Sequence, residues 1–312
     1  ISAATPSIGG PVAKGMAAVS IAHGLFTALR EFKKRKPAAA VGFGGYPSLP
    51  AMKAAAILGL PYGVHEQNSV LGRANRMLVK GALFTAHAFP VLEKCPSGVN
   101  TVEVGNPVRD AVAALACAPY PASDETIRLL IFGGSQGASL FSKVAPKAVA
   151  GLSEALRRKL AITHQVRDED AAGVKAAYES SGVAAELAPF FSDLPARIAA
   201  SHLVIGRAGA STVTELAVIG RPAILVPLAI AMDDHQTGNA RVLADAGAAV
   251  IIAEKTFNED TLKNALAPLL SDSGALAGMA AETRERVKEG ASAALADLVL
   301  ELADRNAARK AA

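Results

Sequence analysis

Along the chain, short runs of Val, Ile, Leu and Ala alternate with longer stretches in which apolar residues recur at helical spacing. Strands buried on both faces read as short continuous apolar runs, and their alternation with helices marks parallel βα units. In the first half the pattern predicts a helix over 15–36 that ends in Lys33, Lys34, Arg35 and Lys36. A strand over 38–41, a glycine turn at 42–45, a helix over 49–58 and a strand over 62–65 follow. A helix over about 72–80 and strands at 83–86 and 101–104 complete that half. Residues 111–126, with Pro119 and Pro121 and no strong period after Cys117, read as a linker. The second series is strand 127–132, helix 137–150, strand 160–165, helix 170–181 and strand 185–188. It continues with helix 193–200, strand 202–206, helix 211–219, strand 222–227, helix 235–246, strand 248–252 and two closing helices.

The expected class is therefore α/β, with two Rossmann-like domains and a cleft between them. The expected boundaries are 1–110 for the first domain, 111–126 for the linker and 127–295 for the second domain. A C-terminal helix over 296–312 is expected to pack back on the first domain. Ligands of such sheets bind in the loops at the carboxyl ends of the strands. The chain opens on Ile1 and its first stretch does not read as the first strand of a domain, so the first domain is expected to be incomplete.

Those loops carry the chemistry. Gly133-Gly134-Ser135-Gln136-Gly137-Ala138 follows the first strand of the second series, where glycines let the backbone approach a ligand and a helix N-terminus faces an anion. It is neither the dinucleotide G-x-G-x-x-G nor a Walker loop. Gly206-Arg207-Ala208-Gly209-Ala210-Ser211-Thr212 opens another helix in the same way, and Glu215 lies about one turn inside it. A carboxylate there suits the hydroxyls of a ribose, although a lone first-turn Glu is more often only a partner of the helix dipole. In Asp233-Asp234-His235-Gln236-Thr237-Gly238-Asn239 the amides of Gln236 and Asn239 fall on one side of a helix start, and amides suit sugar hydroxyls. In the first half His65-Glu66-Gln67-Asn68 ends a strand with four polar side chains, and Arg109 in Gly105-Asn106-Pro107-Val108-Arg109 is a candidate charge clamp. Position 69 is Ser, so the zinc-hydrolase pattern H-E-x-x-H is excluded.

Charge sharpens this picture. Residues 1–110 carry a balance of +7 and residues 111–312 one of −3. The basic half points to an anionic partner, phosphate or a membrane surface rather than nucleic acid, since aromatics amount to 4% of the chain. No run approaches the ~18 apolar residues of a membrane span. Cys95 and Cys117 form neither a disulfide framework nor a zinc spacing.

Taken in order, GFGGYPS (42–48), HEQN (65–68), VGNPVR (104–109), GGSQGA (133–138), GRAGASTVTE (206–215) and DDHQTGN (233–239) resemble the MurG family of peptidoglycan N-acetylglucosaminyltransferases. The resemblance implies the GT-B fold and inverting transfer from UDP-N-acetylglucosamine to an undecaprenyl-diphosphate-linked muramoyl-pentapeptide. It also implies no cofactor, no metal on the diphosphate, and a peripheral place on the cytoplasmic face of the bacterial inner membrane. On that likeness Ser135 and Gln136 face the diphosphate, Glu215 takes the ribose, and backbone at Phe191, beside Phe190, reads uracil. Ala210, Ser211 and Thr212 line sugar and phosphate, Gln236 and Asn68 hold sugar hydroxyls, and Arg109 reaches the nucleotide. The family's N-terminal Gly-Gly-Thr-Gly-Gly-His loop, whose His is a candidate base, is expected upstream of Ile1, which leaves His65 and Glu66 as the catalytic candidates here. Ser142, Ser211 and His235 stand where the family usually has Asn, Leu and Gln. Rival readings are a UDP-N-acetylglucosamine 2-epimerase and a nucleotide-binding module without activity.

Overall fold

A computed structural model describes residues 11–122, 126–134, 139–284, 286, 288 and 290–311. The chain divides into two compact units, one of residues up to Pro107 together with those from Lys288 onward, the other of Val108–Val287. In the first unit α1 (Pro11–Arg35), β1 (Ala40–Gly42), α2 (Gly45–Ile57), β2 (Tyr62–Glu66), α3 (Arg73–Arg76), β3 (Thr85–His87) and β4 (Thr101–Glu103) follow one another. The second contains α4 (Asp110–Ala113), β5 (Ile127–Phe132), α5 (Ser139–Ala150), α6 (Glu154–Arg157), β6 (Leu160–Gln165), α7 (Asp168–Ser180) and β7 (Ala184–Ala188). It goes on through α8 (Leu194–Ala200), β8 (Leu203–Gly206), α9 (Ala210–Ile219), β9 (Ala223–Leu225) and α10 (His235–Ala244). β10 (Ala249–Ile251), α11 (Glu259–Ser271) and α12 (Ser273–Arg284) complete it, and α13 (Ala291–Ala311) belongs to the first unit.

The first unit holds a parallel sheet in the order β1-β2-β3-β4. Every residue of β2 is buried, as a central parallel strand requires. Gly63 is needed within it, because a Cβ there would lie 2.2 Å from the Phe84 ring. Leu49, Met52, Val64, Leu71 and Leu78 pack one face, while Phe84, Ala86, Val104, Leu295 and Leu302 bring α13 onto the unit. The helix expected over 72–80 is broken into α3 and a 3-10 turn at Val79–Gly81. Around the break, side chains of other elements bond the main chain: the Leu78 carbonyl accepts from Tyr62 Oη at 2.9 Å and the Met77 carbonyl from Lys53 Nζ at 3.3 Å.

Among the described residues the second unit holds six parallel strands in the order β10-β9-β8-β5-β6-β7. The chain runs outward from β5 in both directions, so the order reverses between β5 and β8. Leu129, Ile131, Leu160, Ile162, Leu203 and Ile205 face a core completed by α5, α7 and α11. Among the described residues three α-helices rather than two follow β10, since Asp272 ends α11 in extended conformation and α12 begins at once. Residues 108–122, most of the expected linker, are tied down in this unit. Cys117 N–H donates to Val218 O at 2.8 Å and Tyr120 Oη to His202 O at 2.9 Å. The fully buried Arg221 donates to the carbonyls of Ala118, Pro119, Ala199, Ile219 and Gly220. Burial holds that guanidinium down at about 10, helped by the charge of Arg284. The linker expectation fails to register these bonds because their partners lie some hundred residues away.

Candidate functional site

In the second unit the reversal of strand order puts the carboxyl ends of β5 and β8 side by side, the place where open α/β sheets bind ligands. Ser135 and Gln136, in the turn after β5, lie outside the described residues. The turn after β8 leads through Gly209 into α9. That helix has no side-chain cap and no acidic residue in its first turn, so its leading amides and positive dipole end are available to an anion. Ala210, Ser211 and Thr212 form this first turn, with Ser211 exposed. One turn further Glu215 is mostly buried, and Arg109 Nη2 donates to its Oε1 at 3.0 Å. The Arg109 side chain is 64% exposed, against 12% for that of Glu215. A buried carboxylate thus carries an exposed cation from a position 106 residues away, which spacing along the chain could not reveal.

The loop between β9 and α10 completes the rim. Gln236 Oε1 accepts from Leu228 N at 3.0 Å, which turns its amide into a donor toward any ligand. Asn239, fully buried, donates to Ala208 O at 3.2 Å and couples α10 to the turn after β8. Asp233 and Asp234 both have positive φ, 59° and 55°, and Ile230 is 88% exposed. At the end of β7, Phe191 is buried under the guanidinium of Arg197, 4.2 Å from the ring centre, while its neighbour Phe190 is exposed. Arg197 is held by Glu186 at 2.6 Å and Asp193 at 2.8 Å.

In the first unit β2 delivers His65 and Glu66 to its carboxyl end. His65 is fully buried, with Nε2 2.9 Å from Gly105 O, so that nitrogen carries the proton. Burial lowers its pKa, against the opposing pull of the Gly105 bond and the charge of Glu66. Gly105 has φ 86°, and a Cβ there would meet Ala291 at 3.1 Å. Glu66 is 4% exposed and accepts four hydrogen bonds. Asn68 N and Nδ2 donate to Oε1 at 3.1 and 3.0 Å; Gly72 N and Asn75 Nδ2 donate to Oε2 at 2.9 and 2.8 Å. Asn75, on the helix expected over 72–80, is the residue that sequence reasoning missed here, and nothing in its spacing marks it out. Among the described residues no group of three or more His, Cys, Asp or Glu stands in an arrangement that would hold a metal.

The sequence profile of the glycosyltransferase family 28 C-terminal domain matches residues 128–294, and that of the family's N-terminal domain matches residues 9–85. The UDP-N-acetylglucosamine–N-acetylmuramyl-(pentapeptide) pyrophosphoryl-undecaprenol N-acetylglucosamine transferase of Nitrobacter hamburgensis is 46% identical over 297 residues, 94% of this chain and 80% of the relative. That of Caulobacter vibrioides is 46% identical over 301 residues, 96% of this chain and 83% of the relative. The crystal structure of Acinetobacter baumannii MurG superposes with a TM-score of 0.77 at 34% identity, covering 91% of this chain and 81% of that one. The chain belongs to the MurG family of N-acetylglucosaminyltransferases. Its two parallel sheets are those of the GT-B fold. A putative UDP-N-acetylglucosamine 2-epimerase from Listeria monocytogenes shares that fold at a TM-score of 0.61 and 13% identity, a likeness of architecture alone. Within this MurG-family chain the six motifs divide between the units: 42–48, 65–68 and 104–107 in the first, and Arg109 with 133–134, 206–215 and 233–239 in the second.

Proposed function

We propose that the chain transfers N-acetylglucosamine from UDP-N-acetylglucosamine to a lipid-linked muramoyl-pentapeptide, converting lipid I to lipid II. The observation that carries the donor half is the pairing, beside the reversal of strand order, of an uncapped α9 N-terminus with the buried carboxylate of Glu215. An anionic diphosphate fits the amides of Ala210, Ser211 and Thr212, and the two ribose hydroxyls fit the carboxylate. Gln236 presents an amide donor to the sugar, Arg109 stands within reach of the nucleotide, and the backbone at Phe191 reads the base. Asn68 remains assigned to sugar hydroxyls, and Ser135 and Gln136 to the diphosphate.

The chemistry is displacement at the anomeric carbon. The acceptor hydroxyl forms the new bond as it loses its proton to a base, and the bond to the UDP oxygen breaks, with α9 stabilising the charge that develops on the diphosphate. His65 and Glu66 were expected as that base. Their geometry favours a different role: the lone pairs of Glu66 are taken by four donors, and His65 is enclosed with Nε2 committed to Gly105. We assign both to holding the 66–75 loop and Gly105 in place.

α1 supports a peripheral membrane position. Met16, Val19 and Phe26 are exposed on the helix that ends in Lys33, Lys34 and Arg35, and no helix among the described residues is long and apolar enough to cross a membrane. The test of the donor reading is calorimetric titration of UDP into the wild type and Glu215→Ala. Losing two charge-assisted hydrogen bonds costs about 3 kcal/mol, or roughly 100-fold in affinity. Unchanged binding would remove Glu215 from the site.

A further inference from the structure

Several strand-end connections of the second unit converge on an ion pair that has no part in the donor contacts assigned above. Arg207, the first residue after β8, has a side chain only 15% exposed. Its Nη2 donates to Glu254 Oε1 at 3.0 Å and its Nη1 to Val226 O at 3.2 Å. The guanidinium lies 5.6 Å from the centre of the Phe141 ring. Phe141 is fully buried in the first turn of α5 and meets Phe257 edge-on at 5.5 Å. The second oxygen of Glu254 accepts Ala229 N–H at 2.6 Å, next to the Leu228 N–H that Gln236 binds. One carboxylate and one guanidinium therefore tie together the connections after β8, β9 and β10 and brace the helix after β5.

An exposed ion pair would contribute little. This one is mostly buried on both sides, the side chains being 15% and 26% exposed, and each partner also bonds a main-chain group of the β9–α10 loop, so it fixes geometry as well as charge. The loop needs such ties. It carries two consecutive left-handed aspartates, and Ile230 at its tip is almost wholly in solvent.

We propose that Glu254 is a positioning residue for the donor site: through Arg207 and the Ala229 amide it sets the 226–236 loop so that Gln236 and the first turn of α9 meet the sugar nucleotide together. The inference rests on the donor reading given above. Glu254 touches no substrate and acts only through the groups it holds.

The experiment uses the full chain and titrates UDP-N-acetylglucosamine into wild type, Glu254→Ala, Glu254→Gln, Arg207→Ala and the double alanine variant, with a thermal melt of each. Weakening one hydrogen bond of a binding site costs about tenfold in affinity. Glu254→Ala is expected to raise both Kd and KM for the donor by about that factor, with a smaller change in kcat. Glu254→Gln keeps one acceptor and falls between it and the wild type. The double variant is no weaker than the worse single one, because the pair acts as a unit. A Glu254→Ala protein that melts lower but binds the donor as the wild type does would make the pair purely structural and overturn the proposal. A wild type that binds no UDP-sugar would overturn the donor reading and this inference with it.

Discussion

Replacing Glu66 with Gln separates a loop-holding carboxylate from a catalytic base. The substitution keeps size and shape but turns one acceptor oxygen into a donor group. Whichever way the amide turns, it faces two N–H donors: Asn68 N and Nδ2 on one side, or Gly72 N and Asn75 Nδ2 on the other. Hydrogen bonds to a charged acceptor contribute about 1.5–3 kcal/mol each, so losing two costs about 3–6 kcal/mol at a residue that is 4% exposed. Relaxation of the loop brings this to about 3 kcal/mol. For a unit of this size that corresponds to roughly 10 °C in melting temperature. Differential scanning calorimetry of the full chain should show the shift in the transition of the first unit, with kcat falling only in so far as Asn68 is displaced. A melt within about 2 °C of the wild type, with kcat down by about 10²–10⁴, would be the signature of a base and would refute the assignment.

Two further outcomes can be checked. Vesicles containing an anionic lipid should co-sediment the protein, and Lys33→Glu with Lys34→Glu should weaken that binding by about 10-fold or more, since each basic residue near such a surface contributes about 1 kcal/mol; equal binding to neutral vesicles would count against the α1 surface. His164 is fully buried against Tyr178 Oη at 3.0 Å, and burial depresses its pKa to about 3. The unfolded chain takes up this proton near pH 6.5 and the folded one does not, so the second unit should lose stability as pH falls from 6.5 toward 3, by up to about 1.4 kcal/mol per pH unit. His164→Leu combined with Tyr178→Phe should flatten that slope in urea melts at several pH values; an unchanged slope would show that His164 is not its source.

The parallel α/β plan was legible in the sequence wherever the chain obeys a period. β5 and β6 have the expected bounds, 127–132 and 160–165: Leu129–Phe132 of β5 form a continuous buried run, and β6 alternates buried with part-buried positions at the period of a strand. The helix over 72–80 is instead broken at the point where Tyr62 and Lys53 bond the carbonyls of Leu78 and Met77, contacts with other elements that a period along the chain does not register. The same limit applies to the sites. Glycine turns and Glu215 could be picked out locally, since their chemistry follows from residue type beside a strand end. Arg109 on Glu215, Arg207 on Glu254 and Asn75 on Glu66 are pairings made by the fold, and they decide which carboxylates remain available.

The two left-handed aspartates before α10 have a thermodynamic consequence. Holding a residue with a Cβ in that conformation costs about 1 kcal/mol or more, so Asp233 and Asp234 store about 2 kcal/mol where glycines would store almost none. The stored amount is released by any excursion that straightens the bend, and it is opposed by Thr237 Oγ1 on Asp234 and by the tethers at Leu228 and Ala229. The bend before α10 is thus a segment whose shape is kept by its tethers and not by the preference of its own backbone.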